Sequence, residues 1–189
     1  DISSTALFFK EQTRNATFMQ FFINGSDKVN FQAKHSSTTV LEYLSEAQSN
    51  DLAGEWNHIV YTCDRDAGQV VYINGSALTE ETDTIADTTT SINNTSDVSL
   101  GKTGSLFLDG NIAEYATFSK ALSATEASFL YKKKAKYDLS RSKFGSVLTC
   151  WLKMGDGTEA GSGTTVYDMS ANSNNGTLTN GAAFAVSAP

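Results

Sequence analysis

The sequence predicts an all-β protein: a two-sheet antiparallel sandwich with one short α-helix. Three observations predict this fold class. Short segments are rich in aromatic and β-branched residues, Asn-Gly and Gly turns separate them, and a single segment combines a helix cap with an apolar stripe. Hydrophobic residues make up 40% of the 189 residues and charged residues only 19%. That balance is typical of strands joined by polar turns around a core.

The first half of the chain carries the strongest strand signals. Residues 56–64 and 69–74 predict a hairpin, because two β-branched and aromatic runs flank Asp66-Ala67-Gly68, and Asn74-Gly75 ends the second run. Four earlier strands are predicted at residues 6–10, 16–24, 29–33 and 38–44. Residues 79–97 are rich in Thr, Asn and Asp with few large apolar side chains, so they predict a long surface loop.

The second half adds shorter strands and the helix. Strands are predicted at residues 98–101, 106–108, 111–118 and 147–154, and weaker ones at 165–167, 176–179 and 182–186. Ser123 and Glu126 form a capping box that opens a helix near residues 123–136. We expect residues 1–189 to form a single domain, with residues 146–186 adding strands to the same sandwich, because the apolar side chains of 147–152 need burial. A second, truncated unit is the alternative.

Two segments resemble the laminin-G-like branch of the concanavalin A-like lectin/glucanase superfamily. Residues 54–75 contain a Trp-x-His strand and a strand ending in Asn-Gly, and residues 100–131 contain Leu-Gly, Gly-x-Ile and Ala-Leu-Ser before the capped helix. The resemblance implies a jelly-roll arrangement of the two sheets. Residues 150–182 resemble a segment that often opens a domain of this family. Its position after the helix is familiar in tailed-phage and marine viral virion proteins.

The residues that carry chemistry in related enzymes are missing from the sequence. The glucanase branch uses a strand of Glu-x-Asp-x-Glu type, which places an acid and a nucleophile beside the glycosidic bond. No such strand occurs here, and the two histidines, His35 and His58, stand in neither a nucleophile nor a zinc motif. The sequence therefore predicts a protein that is not an enzyme, although it does not identify ligand-binding residues.

The resemblance also implies a calcium ion, because related domains bind calcium through loop oxygens. The candidate ligands are Asp97, Asp109, Asp156 and Asp168, which share no fixed spacing. No other cofactor is predicted. Cys63 and Cys150 lie in apolar strand patterns; they either pair across two sheets or remain buried thiols, and the second interpretation is favoured.

Charge and hydropathy limit the partners. The net charge of −7 argues against nucleic-acid binding, and no apolar stretch approaches the roughly 18 residues of a membrane span. Residues 132–143 nevertheless carry six basic side chains against Asp138 alone. These cations suit a helix C-terminus, and a dipolar surface that orients the domain in an assembly is the alternative.

These observations favour a non-enzymatic virion structural protein, either a capsid decoration or a tail- or fibre-associated protein, with host-glycan binding as an additional role. We expect a virion location, with other virion proteins, a second copy of the chain or surface glycans as partners. A secreted, extracellular lectin-like or adhesion module of a cellular organism is the alternative. A glycoside hydrolase is a more remote one, supported by the fold resemblance alone.

Overall fold

The computed structural model of the chain describes residues 5–12, 17–48, 52, 54–103, 106–134, 137–154 and 161–184. The chain divides into two compact units, residues 1–110 and residues 111–189. Within the described residues, no helix is long and apolar enough to cross a membrane.

The first unit is a two-sheet antiparallel sandwich. Its strands are β1 Thr5–Gln12, β2 Thr17–Ile23, β3 Val29–His35, β4 Thr38–Ser45, β5 Ile59–Asp64, β6 Gly68–Ile73, β7 Ser76–Ala77, β8 Glu80–Ile85, β9 Ser99–Leu100, β10 Lys102–Thr103 and β11 Leu106–Phe107. The larger sheet has the order β8-β4-β3-β2-β1-β9, and the smaller has the order β5-β6-β7. Strands β10 and β11 form a separate pair. The predicted all-β sandwich is therefore confirmed.

Local turn chemistry explains the connections that the sequence predicted. Asn74 and Gly75 both have positive φ, 52° and 80°, which is the conformation of the tight turn that returns β6 into β7. At the β2–β3 turn, the Asn24 side chain accepts hydrogen bonds from the backbone N–H groups of Ser26 and Lys28. The hairpin of β5 and β6 runs in register from Ile59–Ile73 to Asp64–Gly68.

The core of the first unit lies between the two sheets. Alternate residues of the larger sheet, such as Phe31 and Tyr43, point towards alternate residues of the smaller sheet, such as Tyr61 and Val71. The rings of Phe31 and Tyr61 stack with their centroids 4.0 Å apart. Burying each large apolar side chain contributes about 1.5–3 kcal/mol, so these facing rows hold the sandwich together.

A buried polar group also joins the two sheets. The Gln69 amide of β6 donates to the Asp83 carboxylate and to the backbone carbonyls of Glu42 and Thr84 in the larger sheet, at 2.7, 3.1 and 3.1 Å. Its carbonyl oxygen accepts from the Tyr61 hydroxyl at 2.7 Å. Because Gln69 is buried, these contacts compensate its desolvation and fix the sheets relative to each other.

The prediction of a long loop over residues 79–97 is wrong at its start. Residues 80–85 form β8, which pairs with β4 from Leu41–Ile85 to Ser45–Glu80. β8 is an edge strand, which pairs with a neighbour on one side only. Most of its side chains are polar and exposed, so the segment shows no apolar alternation. Residues 86–97 contain no strand, as predicted.

Among its described residues, the second unit contains one helix and two small antiparallel sheets. Its elements are β12 Tyr115–Phe118, α1 Ala124–Lys133, β13 Leu148–Leu152, β14 Gly161–Ser162, β15 Thr165–Val166 and β16 Gly176–Thr177. β12 pairs with β13, and β15 pairs with β14 and β16. Residues 182–184 form no strand, and residues 185–186 lie outside the described residues. Whether residues 146–186 extend the first sandwich stays a prediction.

The helix begins as predicted and ends early. The Ser123 hydroxyl accepts from the Glu126 N–H, and the Glu126 carboxylate accepts from the Ser123 N–H, which completes the capping box. Lys120 also contacts the Glu126 carboxylate, at 2.7 Å. The helix ends at Lys133 rather than near residue 136, because Lys134 has a φ of 57° and leaves the helical conformation.

Candidate functional site

The outer face of the six-stranded sheet carries a regular arrangement of amide and aromatic side chains. On β2, Met19 and Phe21 pack against the core, so by alternation Phe18, Gln20 and Phe22 lie on the opposite face. These three side chains are partly exposed. They follow one another at about 7 Å along the strand. We call the surface formed by this face of β2, β3 and β4 the sheet face.

Three cross-strand rows make up the sheet face. The strand pairing places Gln20 opposite Gln32, and Gln32 opposite Glu42. The same register gives two flanking rows, one of Phe18, Lys34 and Thr39 and the other of Phe22, Asn30 and Leu44. Within each row the side chains stand on neighbouring strands about 4.8 Å apart, so the nine side chains form a compact grid.

Hydrogen bonds connect the central row. Gln20 Nε2 donates to Gln32 Oε1 at 3.5 Å, and Gln32 Nε2 donates to Glu42 Oε1 at 3.1 Å. A side-chain amide has capacity for two donated and two accepted hydrogen bonds, and this row occupies one position on Gln20 and two on Gln32. The row is therefore oriented by its own contacts while it keeps capacity for the hydroxyl groups of a ligand.

Aromatic rings stand on either side of that row. The Lys34 ammonium lies 5.8 Å from the centroid of the Phe18 ring, which keeps the lysine stem along the sheet. Phe22 lies on the other side of the row, two residues beyond Gln20 on β2. Apolar rings beside a few oriented polar groups are the usual composition of a small-molecule binding surface.

The sheet face has the groups for binding and lacks a catalytic pair at its centre. Hydrolysis of a glycosidic bond needs two carboxyl groups about 5–10 Å apart. The cross-strand neighbours of Glu42 are Gln32 and Thr84, neither of which is a carboxylic acid. His58 lies elsewhere, where its backbone N–H donates to Asn74 Oδ1 and burial lowers the pKa of its imidazole.

Three of the four calcium candidates, Asp97, Asp109 and Asp168, lie within the described residues. Asp97 and Asp109 are exposed in the first unit, Asp168 is buried in the second, and Asp156 lies outside the described residues. In the part of the chain that the structure describes, no three His, Cys, Asp or Glu side chains group as a metal site. Calcium binding at these four residues stays a prediction.

Asp168 has a structural role that the sequence did not reveal. Oδ1 accepts hydrogen bonds from the N–H groups of Trp151 and Ser170, and Oδ2 accepts from the Asn174 N–H and the Ser170 hydroxyl. Burial alone would raise the pKa of Asp168, but the N–H groups of Ser170, Trp151 and Asn174 bring it below its ordinary value. A cation at this carboxylate would have to displace those donors.

The two cysteines, both within the described residues, are free thiols in partly buried positions. Burial raises the pKa of the Cys150 thiol to about 11 and also raises that of Cys63. Thiols held protonated in this way are poor nucleophiles and poor metal ligands.

The sequence contained a signal for the sheet face that was difficult to interpret. The segment Phe18 to Phe22 has aromatic residues on both faces of the strand, so alternation does not separate the core side from the outer side. The strand register then brings residues 20, 32 and 42 together, and no local pattern specifies that register.

Comparison with known proteins identifies a family for most of the chain. A laminin-G-type family model, described as the concanavalin A-like lectin/glucanases superfamily, matches residues 2–128. The match therefore includes all the strands that build the sheet face. Comparisons with curated proteins and with solved structures gave no match.

Proposed function

The chain belongs to the concanavalin A-like lectin/glucanase superfamily, and on that premise we propose that it is a non-enzymatic carbohydrate-binding or adhesion-type module. The observation that supports this proposal is the sheet face, where the hydrogen-bonded row Gln20–Gln32–Glu42 lies between Phe18 and Phe22. A neutral glycan would place the C–H face of a ring on a phenyl side chain and its hydroxyl groups on the amides.

The composition of the sheet face favours a neutral ligand. Glu42 accepts from Gln32, and Lys34 lies over the Phe18 ring, so one charge of each sign stands near the centre of the grid. Hydroxyl groups both donate and accept hydrogen bonds, which suits amide side chains. A strongly charged ligand would meet a like charge at one side of this surface.

A glycan array of neutral oligosaccharides, followed by titration calorimetry with a binding oligosaccharide, tests the proposal. We expect Phe18→Ala and Gln32→Ala to weaken binding about tenfold or more, because each removes a contact worth about 1.4 kcal/mol or more. The matched controls are Phe107→Ala, an exposed phenylalanine of β11, and Gln48→Ala, a glutamine beyond the end of β4. Both controls should bind as the parent does.

The outcomes that contradict the proposal are specific. Binding that survives both sheet-face substitutions would place the glycan elsewhere on the protein. An array without signal, recorded in both calcium and EDTA, would remove the carbohydrate-binding role. Hydrolysis of a bound β-glucan that Glu42→Gln abolishes would show that the protein is an enzyme.

The location of the module is a separate proposal. A virion role, as a capsid decoration or tail-associated protein, is supported by the resemblance of residues 150–182 and by no comparison. Mass spectrometry of purified virus particles from the source checks it, and particles without this polypeptide would leave the secreted alternative.

A further inference from the structure

The chain contains four Asn-Gly pairs, in each of which a side-chain amide stands next to a glycine N–H: Asn24-Gly25, Asn74-Gly75, Asn175-Gly176 and Asn180-Gly181. The glycine nitrogen is able to attack the side-chain carbonyl carbon of the asparagine, because glycine has no Cβ and adopts many backbone conformations. The attack closes a cyclic imide, which water then opens. Which pair reacts in the folded protein therefore depends on how firmly its amide is held.

Two of these pairs form turns of the same type. Asn74 and Gly75 have φ of 52° and 80°, and Asn180 and Gly181 have φ of 54° and 85°. The first turn joins β6 to β7, and the second is closed by a hydrogen bond of 3.1 Å from the N–H of residue 182 to the carbonyl of residue 179. Positive φ at both central residues is the geometry of a type I′ turn. A comparison of these two pairs therefore holds the dipeptide and the turn type constant.

The amide of Asn74 is fixed at both of its polar atoms. Its Oδ1 accepts from the His58 N–H at 2.9 Å, and its Nδ2 donates to Asn57 Oδ1 at 2.9 Å. The Asn57 amide is held in turn, because its Nδ2 donates to the Leu52 carbonyl at 3.0 Å. Attack on the Asn74 amide requires it to rotate and to give up both hydrogen bonds. Loss of two hydrogen bonds of ordinary strength slows a reaction about tenfold or more.

The amides of Asn24 and Asn175 are held at their oxygen atoms. Asn24 Oδ1 accepts from the backbone N–H groups of Ser26 and Lys28, at 2.9 and 3.2 Å. Asn175 Oδ1 accepts from the Asp168 N–H at 2.9 Å. Both amides therefore have an orientation that they must leave before the ring closes, although neither is held at its nitrogen in the way that Asn74 is.

The Asn180-Gly181 turn lacks such contacts. Both residues are exposed, and within the described part of the chain the Asn180 amide makes no hydrogen bond. A Cβ added at Gly181 would meet no atom within 4 Å, so the imide and the attacking water have room. Residues 182–184 form no strand, whereas Gly75 is followed by β7. Fewer contacts therefore oppose ring closure at Asn180 than at Asn74.

We propose that Asn180 is a site of spontaneous deamidation in the folded protein, and that side-chain hydrogen bonds protect the other three Asn-Gly pairs. The Gly181 nitrogen forms a bond to Asn180 Cγ, the Cγ–Nδ2 bond breaks, and Nδ2 leaves as ammonia with the proton of the Gly181 N–H. Water then adds to one of the two imide carbonyls and yields aspartate or isoaspartate at this position. Each product gives the exposed turn a negative charge, and the step requires no glycan binding at the sheet face.

Incubation of the native full chain at mildly alkaline pH, followed by proteolysis and tandem mass spectrometry, tests the proposal. We expect Asn180 to deamidate about tenfold or more faster than Asn74, with Asn24 and Asn175 between them. Parallel incubation in denaturant removes the side-chain contacts, so all four pairs should then react at similar rates. The matched control Asn180→Gln keeps an amide at the same exposed position, but its longer side chain closes the ring far more slowly. This variant should not accumulate the acidic species on isoelectric focusing.

A second variant tests the protection directly. Asn57→Ala removes the acceptor of Asn74 Nδ2, so deamidation of Asn74 should become faster while that of Asn180 stays unchanged. Circular dichroism confirms that the variant is folded, and the comparison of Asn74 with Asn180 in the native parent decides the proposal if it is not. Equal rates at Asn74 and Asn180 in the native parent would overturn the proposal. The same order of rates in native protein and in denaturant, or a folded Asn57→Ala variant with an unchanged Asn74 rate, would also overturn it.

Discussion

Replacing Asp168 by alanine is the substitution that most directly tests the organisation of the second unit. The carboxylate accepts four hydrogen bonds, of 2.8 Å from the Trp151 N–H, 2.9 Å from both the Ser170 N–H and hydroxyl, and 2.7 Å from the Asn174 N–H. Trp151 is buried, so its N–H would lose its partner without access to water. Leaving a buried donor without a partner lowers the free energy of unfolding by about 1–3 kcal/mol. The donors of Ser170 and Asn174 are more exposed and can bond to water instead, so each of them contributes a smaller loss.

These terms predict that Asp168→Ala lowers the free energy of unfolding by about 3 kcal/mol. The control is Asp138→Ala, in which the lost carboxylate also accepts two hydrogen bonds from its own turn but is 48% exposed. Water replaces its contacts, so we expect a loss below about 1 kcal/mol. Urea unfolding in a Trp56→Phe background would measure both, since Trp151 fluorescence then reports on the second unit.

The same residue predicts a pH dependence. The folded pKa of Asp168 lies below its unfolded value of about 3.9, so its contribution is complete above that value and is lost as the pH falls through the folded pKa. The parent should therefore lose stability below about pH 4 more steeply than Asp168→Ala does. Asp168→Ala and Asp138→Ala variants of equal stability, or with identical pH profiles, would refute this reasoning.

Three further substitutions or reactions test other parts of the fold. Gln69→Leu should lower the free energy of unfolding by about 2 kcal/mol, because the Tyr61 hydroxyl and the facing carbonyls lose a buried partner. Urea unfolding measures this loss, with Gln48→Ala as the control. A loss no greater than that of the control would contradict the role of Gln69 in joining the sheets. Ser123→Ala should cost about 1 kcal/mol through loss of the helix cap, seen as a lower Tm, with Ser128→Ala on the same helix as the comparison. Burial raises the pKa of both the Cys63 and the Cys150 thiols, so both should react slowly with a thiol reagent at pH 8 in the native protein and fully in denaturant. Rapid reaction of both thiols in the native protein would contradict this expectation.

The sequence predicted the parts of the fold that depend on local chemistry. The hairpin of β5 and β6 and the helix cap were found because a turn, a β-branched run or a capping box specifies each within a few residues. The end of the helix at Lys133 was missed, since a lysine with positive φ at position 134 has no local sequence signal. Strand β8 was missed because an edge strand does not need apolar side chains.

The candidate sites depend on longer-range structure. The sheet face requires side chains of β2, β3 and β4 to come together through one strand register. Acidic residues, by contrast, were easy to find and gave the calcium candidates. Asp168 shows why such residues mislead: a carboxylate in an Asn- and Ser-rich loop serves equally well as an acceptor for backbone N–H groups.

The polar character of β8 has a consequence for solubility. This strand is the last of the larger sheet on its side, and Glu80 and Glu81 are exposed along it. If two copies of the chain joined edge to edge here, the acidic side chains of both would face each other, and like charges at opposed positions disfavour pairing. Glu80 and Glu81, which leave β8 without an apolar pattern in the sequence, therefore disfavour fibre-like aggregation through this edge.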